Sequence, residues 1–239
     1  MTPDGVRASG LPARRLALAV GAKVSGAKEL RTGGPPMLQH IQNYSDKLSR
    51  ALGLAAMGEV PKLAQALRES WRLGYTIFLC GNGGSAGNAN HLANDFLYGA
   101  GTSNGGGLKV EALTANPAIL TCLANDIGYD EIFAEQIRVK ANPGDVLIVL
   151  SGSGDSGNVV RALEMGNAKG MKTFAILGFS GGRCKKIAQH PIHFDIDDMQ
   201  IAEDLQLIVG HMCMQWLCAN PVSESVGVTS SVSTPREVK

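Results

Sequence analysis

Apolar positions follow two periods along this chain. Helical spacing runs through MLQHIQNYSDKLSRALGLA from Met37 and through VPKLAQALRESWRLG from Val60, with Gly74 as a stop signal. TIFLC is then a short apolar run bounded by glycine, the mark of a buried strand. Residues 86–99 read as a helix, LKVEALT as a strand, AILTCLAN as a short helical piece and YDEIFAEQIRVKA as helical. DVLIVLS, KTFAILGF and HPIHFDI read as further strands. Helices NVVRALEMGNAKG and GGRCKKIA lie between them, and a last helix spans about Ile201–Cys218. Strands alternating with helices predict the α/β class, with a parallel sheet covered on both faces. In such sheets ligands sit at the carboxyl ends of strands.

The flanks differ from this core. Residues 1–36 are rich in Gly, Ala, Arg and Pro, and 220–239 are rich in Ser, Thr and Val. Both are expected to be disordered extensions, leaving one folded domain over 37–219. The run RASGLPARRLALAVGAK has arginines, but its apolar stretch is short for a signal peptide. No apolar run approaches the ~18 residues of a membrane span.

Composition narrows the function. A net charge of +1 gives no electrostatic case for nucleic acid or an acidic membrane, so any anion site must be local. Five cysteines without paired or zinc-knuckle spacing read as reduced, mostly buried thiols of a cytoplasmic protein.

Two stretches suggest such a local site. GNGGS at Gly81–Ser85 and SGSGDS at Ser151–Ser156 each follow a strand and precede a helix. Backbone N–H groups, serine hydroxyls and a helix N-terminus together suit a phosphate without lysine or arginine. The same residues also serve as plain turns and caps. Gly-Lys-Ser/Thr is absent, and neither loop matches GxGxxG followed by a strand acid, which argues against nucleotides.

His91 and Asp95 are spaced i, i+4, so they share a helix face after GNGGS. They fit a metal site, an acid–base pair or a solvated pair. Glu203 and His211 lie eight residues apart on the last helix, ~12 Å along it and ~80° around it. One helix does not easily aim both at one ion, unless long side chains converge or other subunits contribute. Asn125 and Asp126 fall in ANDIGYD, which reads as a turn.

As a set, CGNGGS…H…ND…S-x-S-G-x-S-x-N…H resembles the sugar isomerase (SIS) domain family, and within it the phosphoheptose isomerases, over about residues 40–219. The resemblance implies a five-stranded parallel sheet flanked by helices, an N-terminal helical hairpin, and a homotetramer with sites between subunits. It implies that Asn82, Gly83, Gly84 and Ser85 hold the substrate and that Asn125 and Asp126 meet sugar hydroxyls. Ser151, Gly152, Ser153 and Ser156 would take the phosphate, with Glu203 also on the substrate. Zinc would sit on His91, Asp95, Glu203 and His211, with Asp95 as base and His211 as acid. The expected reaction is aldose–ketose isomerisation of sedoheptulose 7-phosphate. A second reading is a non-catalytic relative that binds a sugar phosphate or a protein partner such as a replication initiator.

Two helix positions and two loop positions depart from the family pattern. Asp95 stands where the family has glutamate, Glu203 where it has glutamine, and SGSGDS where it has S-T-S-G-N-S. Asp155 thereby adds a negative charge beside the expected phosphate loop.

Overall fold

The computed structural model describes residues 34–101 and 106–222. All but the inner ends of the two expected extensions lie outside the described residues. Five strands form one parallel sheet: β1 Thr76–Gly81, β2 Lys109–Ala112, β3 Val146–Ser151, β4 Lys172–Leu177 and β5 His190–His193. Their order is β2-β1-β3-β4-β5. The helices among the described residues are α1 Met37–Leu52, α2 Val60–Leu73, α3 Gly84–Leu97, α4 Pro117–Asp126, α5 Ala134–Lys140, α6 Gly157–Ala168, α7 Cys184–Ile187 and α8 Met199–Ala219.

The strand side chains alternate between two cores, as period-2 geometry requires. Ile77, Leu79, Val146, Ile148 and Leu150 pack with Leu67, Leu92 and Leu205 of α2, α3 and α8. Phe78, Cys80, Leu147 and Val149 pack with Ile137, Val159 and Leu163 of α5 and α6. Strands buried on both faces explain the unbroken apolar runs. The two N-terminal helices, joined by a 3-10 turn at Ala55–Glu59, lean on α8.

Local chemistry sets the ends of these elements. Pro61 lies in the first turn of α2, and Gly74 closes that helix at φ 74. Asn116 caps α4 by accepting from the N–H groups of Ala118 and Ile119. That cap starts a helix which runs through Asp126, so Asn125 and Asp126 form the end of a helix and not the turn expected. The turn begins one residue later and passes through Gly128 at φ 102. Asp198 caps α8 by accepting from Ile201 N–H at 3.3 Å.

The chain leaves β1 toward β2 on one side and enters β3 on the other. The topological switch therefore lies between β1 and β3, where an open sheet forms its ligand crevice. GNGGS follows β1 and SGSGDS follows β3, so the two loops flank that crevice.

All five cysteines are free, three of them buried. Burial pushes the Cys184 and Cys213 thiols up to about 12 and Cys80 higher still, which keeps them as inert packing groups. Among the described residues no helix is long and apolar enough to cross a membrane.

Candidate active site

The first loop turns tightly because its residues are small. A side chain at Gly81 would strike Leu150 O and Ser85 at 2.7–2.8 Å, and Gly83 has φ 55. α3 begins at Gly84, two residues earlier than its apolar pattern suggests. Ser85 is buried, and its Oγ accepts from Gln206 Nε2 at 3.0 Å. Gln206 Oε1 in turn accepts from Asn88 Nδ2 at 2.9 Å, which also donates to Glu203 O. The Glu203 carboxylate lies over Gly84, where an added Cβ would fall 2.3 Å from one of its oxygens.

The second loop is built otherwise. Ser151 is buried, and its Oγ accepts from Gly154 N–H at 3.0 Å. Gly152 O accepts from Gly178 N–H at 2.9 Å, which pins the loop to the end of β4. Ser153 is exposed and accepts from Asp155 N–H at 3.3 Å. Ser156 is the N-cap of α6, yet its hydroxyl makes no cap bond. Asp155 points to Arg183, whose Nε donates to Oδ1 at 2.6 Å. The guanidinium holds the Asp155 carboxyl below the usual carboxylate range.

An amide pair joins the loops. Asn82 and Asn158 exchange two hydrogen bonds of 2.8 Å, and Tyr129 Oη donates to Asn82 Oδ1 at 3.0 Å. The loops thus face one crevice. Asn125 and Asp126 lie exposed at the end of α4, with Asn125 Nδ2 donating to Asp126 Oδ1 at 2.8 Å.

On α3, the predicted shared face is real. His91 Nε2 lies 3.4 Å from Asp95 Oδ2. α8 brings His211 Nε2 to 3.3 Å from the same oxygen and 3.0 Å from His91 Nε2. A tetrahedral zinc with bonds of about 2.0–2.1 Å has donor–donor edges of about 3.3–3.4 Å, so this donor set fits such an ion. The shorter aspartate still reaches both rings.

Glu203, expected as a fourth ligand, is not in this cluster. Two turns of α8 separate it from His211, and it ends beside the start of α3 instead. His91, Asp95 and His211 come together within one chain, so no second subunit is needed to assemble these three. The sequence reading gave no role to Asn158, Gln206, Asn88 or Tyr129. Asn158 was visible as the last residue of S-x-S-G-x-S-x-N. Gln206, 1% exposed, was visible only as a polar residue within an apolar helix.

Comparison with known proteins agrees with this geometry. Residues 40–178 match the SIS domain family. A phosphoheptose isomerase of Akkermansia muciniphila is 36% identical over 66% of this chain and 84% of that protein. One from Synechocystis sp. is 32% identical over 80% of this chain and 99% of that protein. The solved phosphoheptose isomerase of Francisella tularensis superposes with a TM-score of 0.72 at 25% identity, covering 77% of this chain and all of that one. The chain belongs to the SIS domain family and is phosphoheptose isomerase-like within it.

Proposed function

We propose that this chain interconverts sedoheptulose 7-phosphate and the corresponding aldose, heptose 7-phosphate, through an enediol. One observation carries the reading: α8 brings His211 to His91 and Asp95 on the helix that grows out of GNGGS, and a second Gly/Ser loop is cross-linked to the first. The names of the relatives at 36% and 32% identity support it.

Ser151, Gly152, Ser153 and Ser156 take the phosphate at the N-terminal end of α6. Asn82, Gly83, Gly84 and Ser85 line the sugar's path along α3, with Glu203 beside them. Asn125 and Asp126 receive sugar hydroxyls from the end of α4. His91, Asp95 and His211 would hold zinc, which when bound would supply Lewis-acid polarisation of the sugar carbonyl. Asp95 takes the proton alpha to the carbonyl, using the carboxylate oxygen that does not face the imidazoles. The hydroxyl proton passes from one enediol oxygen to the other while His211, through the ring nitrogen that does not face Asp95, delivers a proton to the neighbouring carbon. The proton held by Asp95 restores His211 through solvent. One C–H bond breaks, one forms, and no redox cofactor is consumed.

Exposed apolar side chains on α1 and α8, including Leu38, Ile41, Met212 and Trp216, support burial against further copies in a homotetramer. Five unpaired cysteines support a reducing, cytoplasmic setting. The test is an isomerase assay over a panel of phosphosugars, with metal analysis of the same sample. Turnover of sedoheptulose 7-phosphate with roughly one metal ion per chain is expected. Binding of that sugar without conversion would make the chain a sensor and overturn the reading.

A further inference from the structure

Asp155 places a carboxylate inside the loop to which the proposed reading gives a phosphate. An uncompensated charge there would repel the ligand. The surrounding geometry shows what happens to it. Arg183 Nε donates to Asp155 Oδ1 at 2.6 Å, and Arg183 Nη2 donates to the main-chain oxygen of Asp155 at 2.5 Å. Arg183 N–H points at the same Oδ1 from 3.4 Å. Three donors from one residue thus converge on Asp155.

The backbone fixes this meeting. Gly154, Gly181 and Gly182 all have positive φ, and they stack so closely that a Cβ on Gly154 would fall 2.1 Å from Gly181 O. Cys184 N–H donates to Gly154 O at 2.9 Å. The segment after β4 therefore lies against the second loop and carries Arg183 to its outer side. A hollow of about 540 Å³ opens there, lined by Ser153, Asp155, Phe179, Ser180, Arg183 and Lys186.

We propose that Arg183 is a positioning and charge-cancelling residue for the phosphate loop: it neutralises Asp155 and ties the loop down, so that the carboxylate within the loop does not oppose the anion. This rests on the phosphate assignment under Proposed function. Because the pair is exposed, its effect on an anion is moderate and screened by salt.

The test is titration of the full chain with inorganic phosphate at low and high ionic strength, paired with kinetics on sedoheptulose 7-phosphate. R183A leaves Asp155 unpaired. Its phosphate Kd and its KM should rise about tenfold at low salt while kcat changes little. The rise should shrink to about twofold near 0.5 M salt. The double variant D155N/R183A should recover most of the lost affinity, and D155N alone should bind phosphate at least as tightly as wild type. A purely structural clamp would predict a lower Tm, no salt dependence and no rescue. An unchanged Kd in R183A, or a double variant as weak as R183A, would overturn the inference and leave the proposed function standing. A wild-type chain that binds neither inorganic phosphate nor sedoheptulose 7-phosphate would remove both.

Discussion

The two Gly/Ser loops look alike in sequence and differ in what surrounds them. In GNGGS the serine is buried and already engaged by Gln206, and the Glu203 carboxylate rests on the first residue of the helix. In SGSGDS, Ser153 is exposed, Ser156 has a hydroxyl that caps nothing, Asp155 is tied off by Arg183, and the Asp130 carboxylate rests on Gly157, the first residue of α6. One strand-to-helix junction has its serine buried and its hydroxyl oxygen engaged by the protein. The other leaves the Ser156 hydroxyl uncapped and has the carboxylate within the loop, Asp155, neutralised. The proposed function accordingly gives the anion to the second loop, and the first loop launches α3 with its histidine and aspartate. Similar local sequences acquire different jobs from the elements that pack over them, here α8 on the first loop and the β4–α7 connection on the second.

This contrast predicts that damage near the first loop and α3 falls on turnover, while damage in the second loop falls on affinity. Among the alanine variants the largest effect should come from His211→Ala, which removes a member of the α3–α8 cluster. Loss of an acid–base group costs about 10²–10⁴-fold in kcat. Steady-state kinetics on sedoheptulose 7-phosphate should show that fall with KM within a few-fold. A kcat near wild type would break the division of labour.

Ser156→Ala comes next. A hydrogen bond to a charged group contributes about 1.5–3 kcal/mol, so phosphate affinity should weaken about tenfold or more. With no cap bond to lose, Tm should hold. Calorimetric titration with inorganic phosphate and a thermal melt decide between these. Ser85→Ala should give the opposite pattern: Gln206 loses its buried acceptor, costing about 1–3 kcal/mol of stability. Its phosphate affinity should stay within about twofold, the smallest binding change of the series, because Ser85 is not assigned to the phosphate end. If Ser85→Ala weakened phosphate more than Ser156→Ala, the roles assigned to the loops would be reversed.

Much of this was legible in the residues. Unbroken apolar runs between helical stretches gave the parallel sheet, because strands covered on both faces need no polar alternation. The i, i+4 spacing of His91 and Asp95 gave their shared face. What the sequence withheld was every relation between distant segments. The approach of His211 to α3 depends on how α8 crosses the sheet, which the apolar residues around His211 do not encode. The resemblance put Glu203 with His211 on one ion against the helix spacing, and Glu203 ends beside Gly84, two helical turns from the cluster. Asn125 and Asp126 read as a turn because asparagine and aspartate favour turns. The Asn116 cap and Pro117 instead started a helix long enough to include them. The amide pair of Asn82 and Asn158 joins residues 76 apart, a contact no local pattern encodes.

The most direct test follows sedoheptulose 7-phosphate by phosphorus NMR with wild type and with Asp95→Asn, since one spectrum reports both binding and conversion. Wild type should shift the phosphate resonance and build up the aldose 7-phosphate signal. Asp95→Asn should give the same shift with no product. Product formation by Asp95→Asn at the wild-type rate, or a wild-type chain that neither shifts nor converts the sugar, would contradict a site that grips phosphate at one loop and moves protons at the other.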